Sequence, residues 1–137
     1  MAHPPPLQLA DFLGPTFGAV VFVALMSRLA EPLRRNVNTL LVAGACGAYL
    51  NGGFGLWELV FPLVVMPVAY QGLRAPRFIG IAWLMHSAWD ALHHVYGNAI
   101  WPFMPTSSFG CLIFDALIAI WFLAGAPSLR RAVPVAN

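Results

Sequence analysis

Five apolar stretches run along the chain, separated by short segments in which polar residues, glycine and proline concentrate. They span Phe12 to Leu29, Asn38 to Leu50, Leu56 to Leu73, Phe78 to Tyr96 and Phe109 to Gly125. Four are long enough for a helix to cross a hydrocarbon core, which takes about 20 residues and at least roughly 17. The second amounts to only about 20 Å of helix at 1.5 Å per residue, a length that also suits a re-entrant segment.

Charge decides between the two readings. All seven cationic side chains are arginines, and they fall in three clusters: Arg28, Arg34 and Arg35; Arg74 and Arg77; Arg130 and Arg131. The connecting segments between these clusters carry no positive charge, which is the positive-inside pattern of a polytopic membrane protein. Arg34/Arg35 and Arg74/Arg77 share a side only if an even number of spans separates them. The second stretch is therefore expected to cross. Asn51-Gly52-Gly53-Phe54-Gly55 then reads as a tight helical-hairpin turn with glycines at positive φ. The expected fold is all-α, a five-span transmembrane bundle in one domain over residues 1–137, with the N-terminus outside and the C-terminus inside.

Composition supports this reading. The chain is 60% hydrophobic and 9% charged, whereas about a quarter of a soluble domain's residues are charged. The net charge of +2 comes from the loop arginines, so it reports orientation in the bilayer and gives no support to nucleic-acid binding. The opening residues carry no Lys or Arg, so a secretory signal lacks its basic region and the first span is expected to be retained. A bacterial inner membrane is the expected location. The loop Asn98 to Ser108 lies on the uncharged outer side, where Trp101 and Phe103 suit the headgroup region and the loop could act as a lid. Pro62 and Pro67 are expected to bend the third helix. Cys46 and Cys111 read as small buried hydrophobes.

Ionisable groups inside apolar spans are costly and are functional candidates by default. Here they are Glu58, His86, Asp90, His93, His94 and Asp115. At 1.5 Å per residue from the outer helix ends, they fall from about 3 Å (Glu58) to about 16 Å (His86) deep, which places a polar pocket in the outer half of the bilayer. At about 100° per residue, His86, Asp90 and His93 share one face of the fourth helix, with His94 about 40° further round. Three readings remain open. Asp90, His93 and His94, completed by Glu58 and Asp115, could ligate a divalent metal such as zinc, iron or manganese. Alternatively, His86, Asp90 and Asp115 could run metal-free acid/base catalysis. Finally, the two aspartates could simply partner the histidines, Trp89 and Tyr96. His3 is expected to be solvated, Asp11 to be an N-terminal helix charge, Glu31 a surface ion-pair partner, and Ser107 and Ser108 capping residues.

With His86-Ser87-Ala88-Trp89-Asp90-Ala91-Leu92-His93-His94, Tyr96-Gly97-Asn98 and Trp101-Pro102-Phe103, the chain resembles a family of small bacterial integral-membrane proteins known only as a domain of unknown function. The likeness runs from about Ala48 to Phe122. It implies a bacterial membrane protein and supplies no activity. The intramembrane His and Asp are also similar in type to those of the alkaline ceramidase and adiponectin-receptor hydrolases, which have seven spans and ligands on several helices. Sterol isomerases of the emopamil-binding type likewise place His and acid four apart, an analogy at the level of architecture. The resulting expectation is a small membrane enzyme acting on a lipophilic substrate. The alternative is a non-catalytic subunit or cofactor-binding partner in a homo-oligomer or larger membrane complex.

Overall fold

The computed structural model describes residues 4–49 and 53–128. His3, Asn51, Gly52, Arg130 and Arg131 lie outside the described residues. The fold is all-α: α1 Leu9–Met26, α2 Leu33–Ala45 running into a 3-10 turn Cys46–Tyr49, α3 Trp57–Gln71, α4 Pro76–Tyr96 and α5 Ser107–Leu123. Among the described residues there is no strand, only an isolated bridge between Trp101 and Met104.

Two helix starts follow from proline. Pro76 is the first residue of α4, and Pro32 immediately precedes α2; the fixed φ of proline favours a helix start, where the missing N–H costs nothing. The second element therefore begins five residues before its apolar stretch and takes Arg34 and Arg35 into its first turn. Its 13 α-helical residues continue into 4 of 3-10 helix, so it is longer than its hydropathy suggests. Gly53 and Gly55 both adopt positive φ, at 102° and 58°, as the hairpin turn requires. α3 runs on through both Pro62 and Pro67.

Contacts between the connecting segments sort the helix ends into two groups. At one end, Arg35 Nη1 donates to the Arg74 carbonyl at 3.4 Å and the Ser128 hydroxyl to the Ser27 carbonyl at 3.1 Å. The Arg34 guanidinium also lies 5.9 Å from the centre of the Trp121 ring and pairs with Glu31 at 2.9 Å. At the other end, Thr106 donates to Asp11 at 2.7 Å, and Gly53 packs against the Asn98 side chain. Among the described residues, all the arginines belong to the first end.

α4 and α5 form the closest pair. A Cβ added to Gly80 would sit 2.9 Å from Leu123 Cγ and 3.0 Å from the Ala119 carbonyl, so the backbones approach as they do where small residues line a helix interface. Val42, Val65, Ile79, Ile118 and Phe122 fill the interior, while Phe17, Leu40, Leu56 and Leu63 are each more than 70% exposed. Asn38, Glu58, His86, Asp90, His93 and Asp115 are buried. Buried polar residues thus share the interior with an apolar core, while many large apolar residues face outward. By length and hydropathy, α1 alone among the described helices is fit to cross a membrane, with mean hydropathy 1.8 over its 18 residues. α3 and α5 are apolar but shorter, at 15 and 17 residues. α4 has 21 residues, about 31 Å at 1.5 Å each, but its buried polar stripe lowers its hydropathy.

Candidate functional site

His93 stands between two acceptors. Its Nδ1 is 3.0 Å from the Trp89 carbonyl one turn back, and its Nε2 is 3.0 Å from Glu58 Oε1 on α3. A backbone carbonyl can only accept, so Nδ1 carries a hydrogen and donates. Nε2 then either donates from an imidazolium to a carboxylate, or accepts from a protonated Glu58. In both forms the pair holds one proton between Nε2 and Oε1 and has no net charge. Glu58 Oε1 also accepts the Phe54 amide hydrogen at 3.0 Å, which ties the pair to the α2–α3 turn. Glu58 Oε2 has no partner. The imidazole is fully enclosed, stacked on the Tyr49 ring at 3.8 Å and 26° and edge-on to Phe54 at 4.5 Å.

Tyr49 joins this pair to a second one. Its hydroxyl donates to Asp90 Oδ1 at 2.6 Å. Asp90 Oδ2 receives no hydrogen bond from any donor, and the Asp115 carboxyl of α5 lies within hydrogen-bonding reach of Asp90. Two carboxyl groups can hydrogen-bond only when one carries a proton, because carboxylates only accept. The cluster is therefore a chain of contacts, Glu58 to His93 to Tyr49 to Asp90 to Asp115, with a shareable proton at each end. Cys111, one turn before Asp115, is near enough to interact electrostatically with Asp90, Asp115 and Tyr49.

The other sequence candidates are placed elsewhere. His86 shares the buried face of α4, but its Nε2 meets the Val42 carbonyl at 3.0 Å and Cys46 Sγ at 3.6 Å, with the Phe61 ring edge-on at 5.1 Å. With Nε2–H committed to Val42, that nitrogen cannot take a proton from the thiol. His94 turns out of the stripe, partly exposed beside the Phe109 ring at 5.2 Å, and Asp11 is its electrostatic partner. The expected ligand set of Asp90, His93, His94, Glu58 and Asp115 is thus divided: Glu58 binds His93, Asp90 adjoins Asp115, and His94 joins neither. Among the described residues no three His, Cys, Asp or Glu side chains group so as to hold a metal ion.

Two smaller expectations change. The aspartates partner Tyr49 and each other, whereas Tyr96 is exposed and buried Trp89 Nε1 has no partner. Ser107 and Ser108 do not cap α5: Ser107 Oγ accepts the Trp101 amide hydrogen at 3.1 Å, and Ser108 donates to the Asn98 carbonyl at 3.3 Å. Both pin the loop to the helix. Asp11 does cap α1, accepting the Gln8 amide hydrogen at 2.7 Å, and it also receives Thr106. Tyr49 is the functional residue that spacing on α4 did not reveal. Its signal is positional, as the hydroxyl-bearing aromatic next to the hairpin turn, at the same end as Glu58.

Beside the cluster, a cavity of about 410 Å³ lies between α1, α5 and the 98–106 loop, with Cys111 in its wall and Asp11 and Thr106 among its lining residues.

No curated protein and no solved structure matches the chain significantly, so the hydrolase and sterol-isomerase likenesses gain no support from these comparisons. One protein family does match, over residues 10–128, taking in α1 as well as the later helices. The chain belongs to that family, the family of unknown function DUF6010.

Proposed function

We propose that the protein is a small five-span enzyme of the bacterial inner membrane that performs acid/base chemistry on a lipophilic substrate, with the cluster in the outer half of the bilayer. The observation that carries this reading is the His93 ring set between two acceptors, one of them a buried carboxyl. Such a pair holds a proton out of water and can pass it between Nε2 and Oε1 with no change in its net charge, whereas an isolated buried charge would be costly. The Asp90–Asp115 pair supplies an acid and a base in contact, an arrangement suited to moving a proton between two substrate positions. Tyr49 positions both pairs. His86 is left as a tie between α4 and the Val42 turn.

Buried polar residues, large apolar residues facing outward and arginines at one end all support the spanning topology. Cysteine probes at Asn98 to Thr106 should react with an impermeant reagent from outside, and probes at Arg74 and Arg77 should not; reaction of both from one side would refute it. A metal-bound form would have to start from Asp90 and Asp115, the two carboxyls in contact, and the described residues do not complete a ligand set around them.

The activity itself is tested by comparing the lipid profile of cells producing the wild type with cells producing Glu58→Gln or Asp115→Asn. A lipid species altered by the wild type alone, with all three proteins folded, is expected. Identical profiles in all cells would favour the second reading, a non-catalytic subunit of a larger membrane complex. The exposed faces of α2 at Leu40 and α3 at Leu63 would suit a protein partner as well as lipid.

A further inference from the structure

Glycine inside a helix costs about 1 kcal/mol relative to alanine. It is commonly retained where another chain segment comes too close for a side chain, as at Gly80. Gly14 on α1 and Gly110 on α5 differ: a Cβ at either would meet nothing within 4 Å. Both line the cavity between the two helices. Neither brings backbones together, and the effect of having no side chain at either position is to leave the space between them open. Its other walls include Pro15, Ile100, Met104 and Phe114, all apolar. Its volume lies in the roughly 300–1,000 Å³ range of small-molecule sites, which pair apolar walls with a few placed polar groups.

The polar groups restrict what fits. Asp11 is the one charged side chain in the lining, held in place by Gln8 and Thr106, and no arginine lines the cavity. The described arginines gather at the opposite end of the bundle. A carboxylate or phosphate head would therefore meet a like charge with no arginine in the lining to offset it, whereas an ammonium or hydroxyl head could donate to Asp11.

We propose that this cavity binds a single-chain lipophile whose head is an amine or an alcohol. The apolar chain lies between Gly14 and Gly110, the head is at Asp11, and Cys111 separates the bound chain from the carboxyl pair. As the substrate site, the proposal rests on the acid/base reading above; as a binding site, it can be tested separately.

The experiment is quenching of tryptophan fluorescence, with Trp101 in the cavity wall, in nanodisc-held full-length protein. The probes are three bromine-labelled alkyl chains of equal length ending in an amine, an alcohol or a carboxylate. Amine and alcohol should bind at least about tenfold more tightly than carboxylate. Gly14→Leu and Gly110→Leu, which fill the cavity from opposite walls, should each abolish saturable quenching, and Asp11→Asn should remove the preference for amine over carboxylate. Carboxylate binding as tight as amine, or saturable quenching that survives in both leucine variants, would overturn the proposal. Glu58→Gln and Asp115→Asn should bind the amine within about twofold of wild type. If they do so while the lipid profiles show no activity, the acid/base reading fails and the binding site stands. If the profiles change and the leucine variants still bind, the reverse holds.

Discussion

His86 and His93 lie seven residues apart on one buried face of α4, yet they are held differently. His93 has an acceptor at each ring nitrogen, one of them the Glu58 carboxyl. His86 has one backbone carbonyl, a thiol and aromatic edges. Equal burial and equal periodicity therefore do not give equal chemistry. What separates the two is the neighbouring helix: α3 brings a carboxylate to His93, while the α2 turn brings only a carbonyl and a cysteine to His86.

The strongest way to break this contrast is to remove the carboxyl. Glu58→Ala leaves His93 Nε2 and the Phe54 amide unpartnered inside the protein, and loss of one member of a buried ionic pair costs about 3–5 kcal/mol. Unfolding of the purified protein in detergent should show a loss of that order, with Glu58→Gln recovering a large part of it. If Glu58→Ala is no less stable than wild type, the pair is not holding the fold together.

Tyr49→Phe should cost less. It keeps the ring stacked on His93 and removes only the hydrogen bond to Asp90, so about 1–3 kcal/mol is expected from a carboxyl left short of a donor. Equal unfolding of Tyr49→Phe and wild type would mean that the hydroxyl does not link the two pairs.

The smallest effects belong to the other histidines. His86→Phe loses one neutral hydrogen bond and keeps the aromatic packing, about 0.5–1.5 kcal/mol. His94→Ala, partly exposed and outside the stripe, should stay within about 0.5 kcal/mol of wild type. A His86→Phe loss as large as that of Glu58→Ala would erase the distinction between the two sites.

Much of the architecture was legible because hydropathy and arginine spacing act along the chain. The five helices, the turn at Gly53 and Gly55 and the shared face of His86, Asp90 and His93 all follow from local periodicity. What was not legible is which residues meet across helices. Glu58 and Asp115 were both candidate partners, but their assignment to His93 and Asp90 depends on helix rotation, which spacing within α4 does not encode. His94 illustrates the limit: about 40° of rotation beyond the stripe was enough to turn it towards Asp11 and Phe109. Tyr49 was hidden for another reason, since it lies within the second apolar stretch and bears no charge to set it apart there.

The claim on which the rest depends is that His93 shares a proton with Glu58 while donating from Nδ1. Nitrogen-15 NMR of histidine-labelled protein tests it directly, with His93 assigned by the signal lost in a folded His93→Gln variant. The account predicts a protonated Nδ1 and an Nε2 resonance that shifts when Glu58 is replaced by Gln. An unprotonated Nδ1, or an Nε2 resonance indifferent to Glu58→Gln, would contradict it.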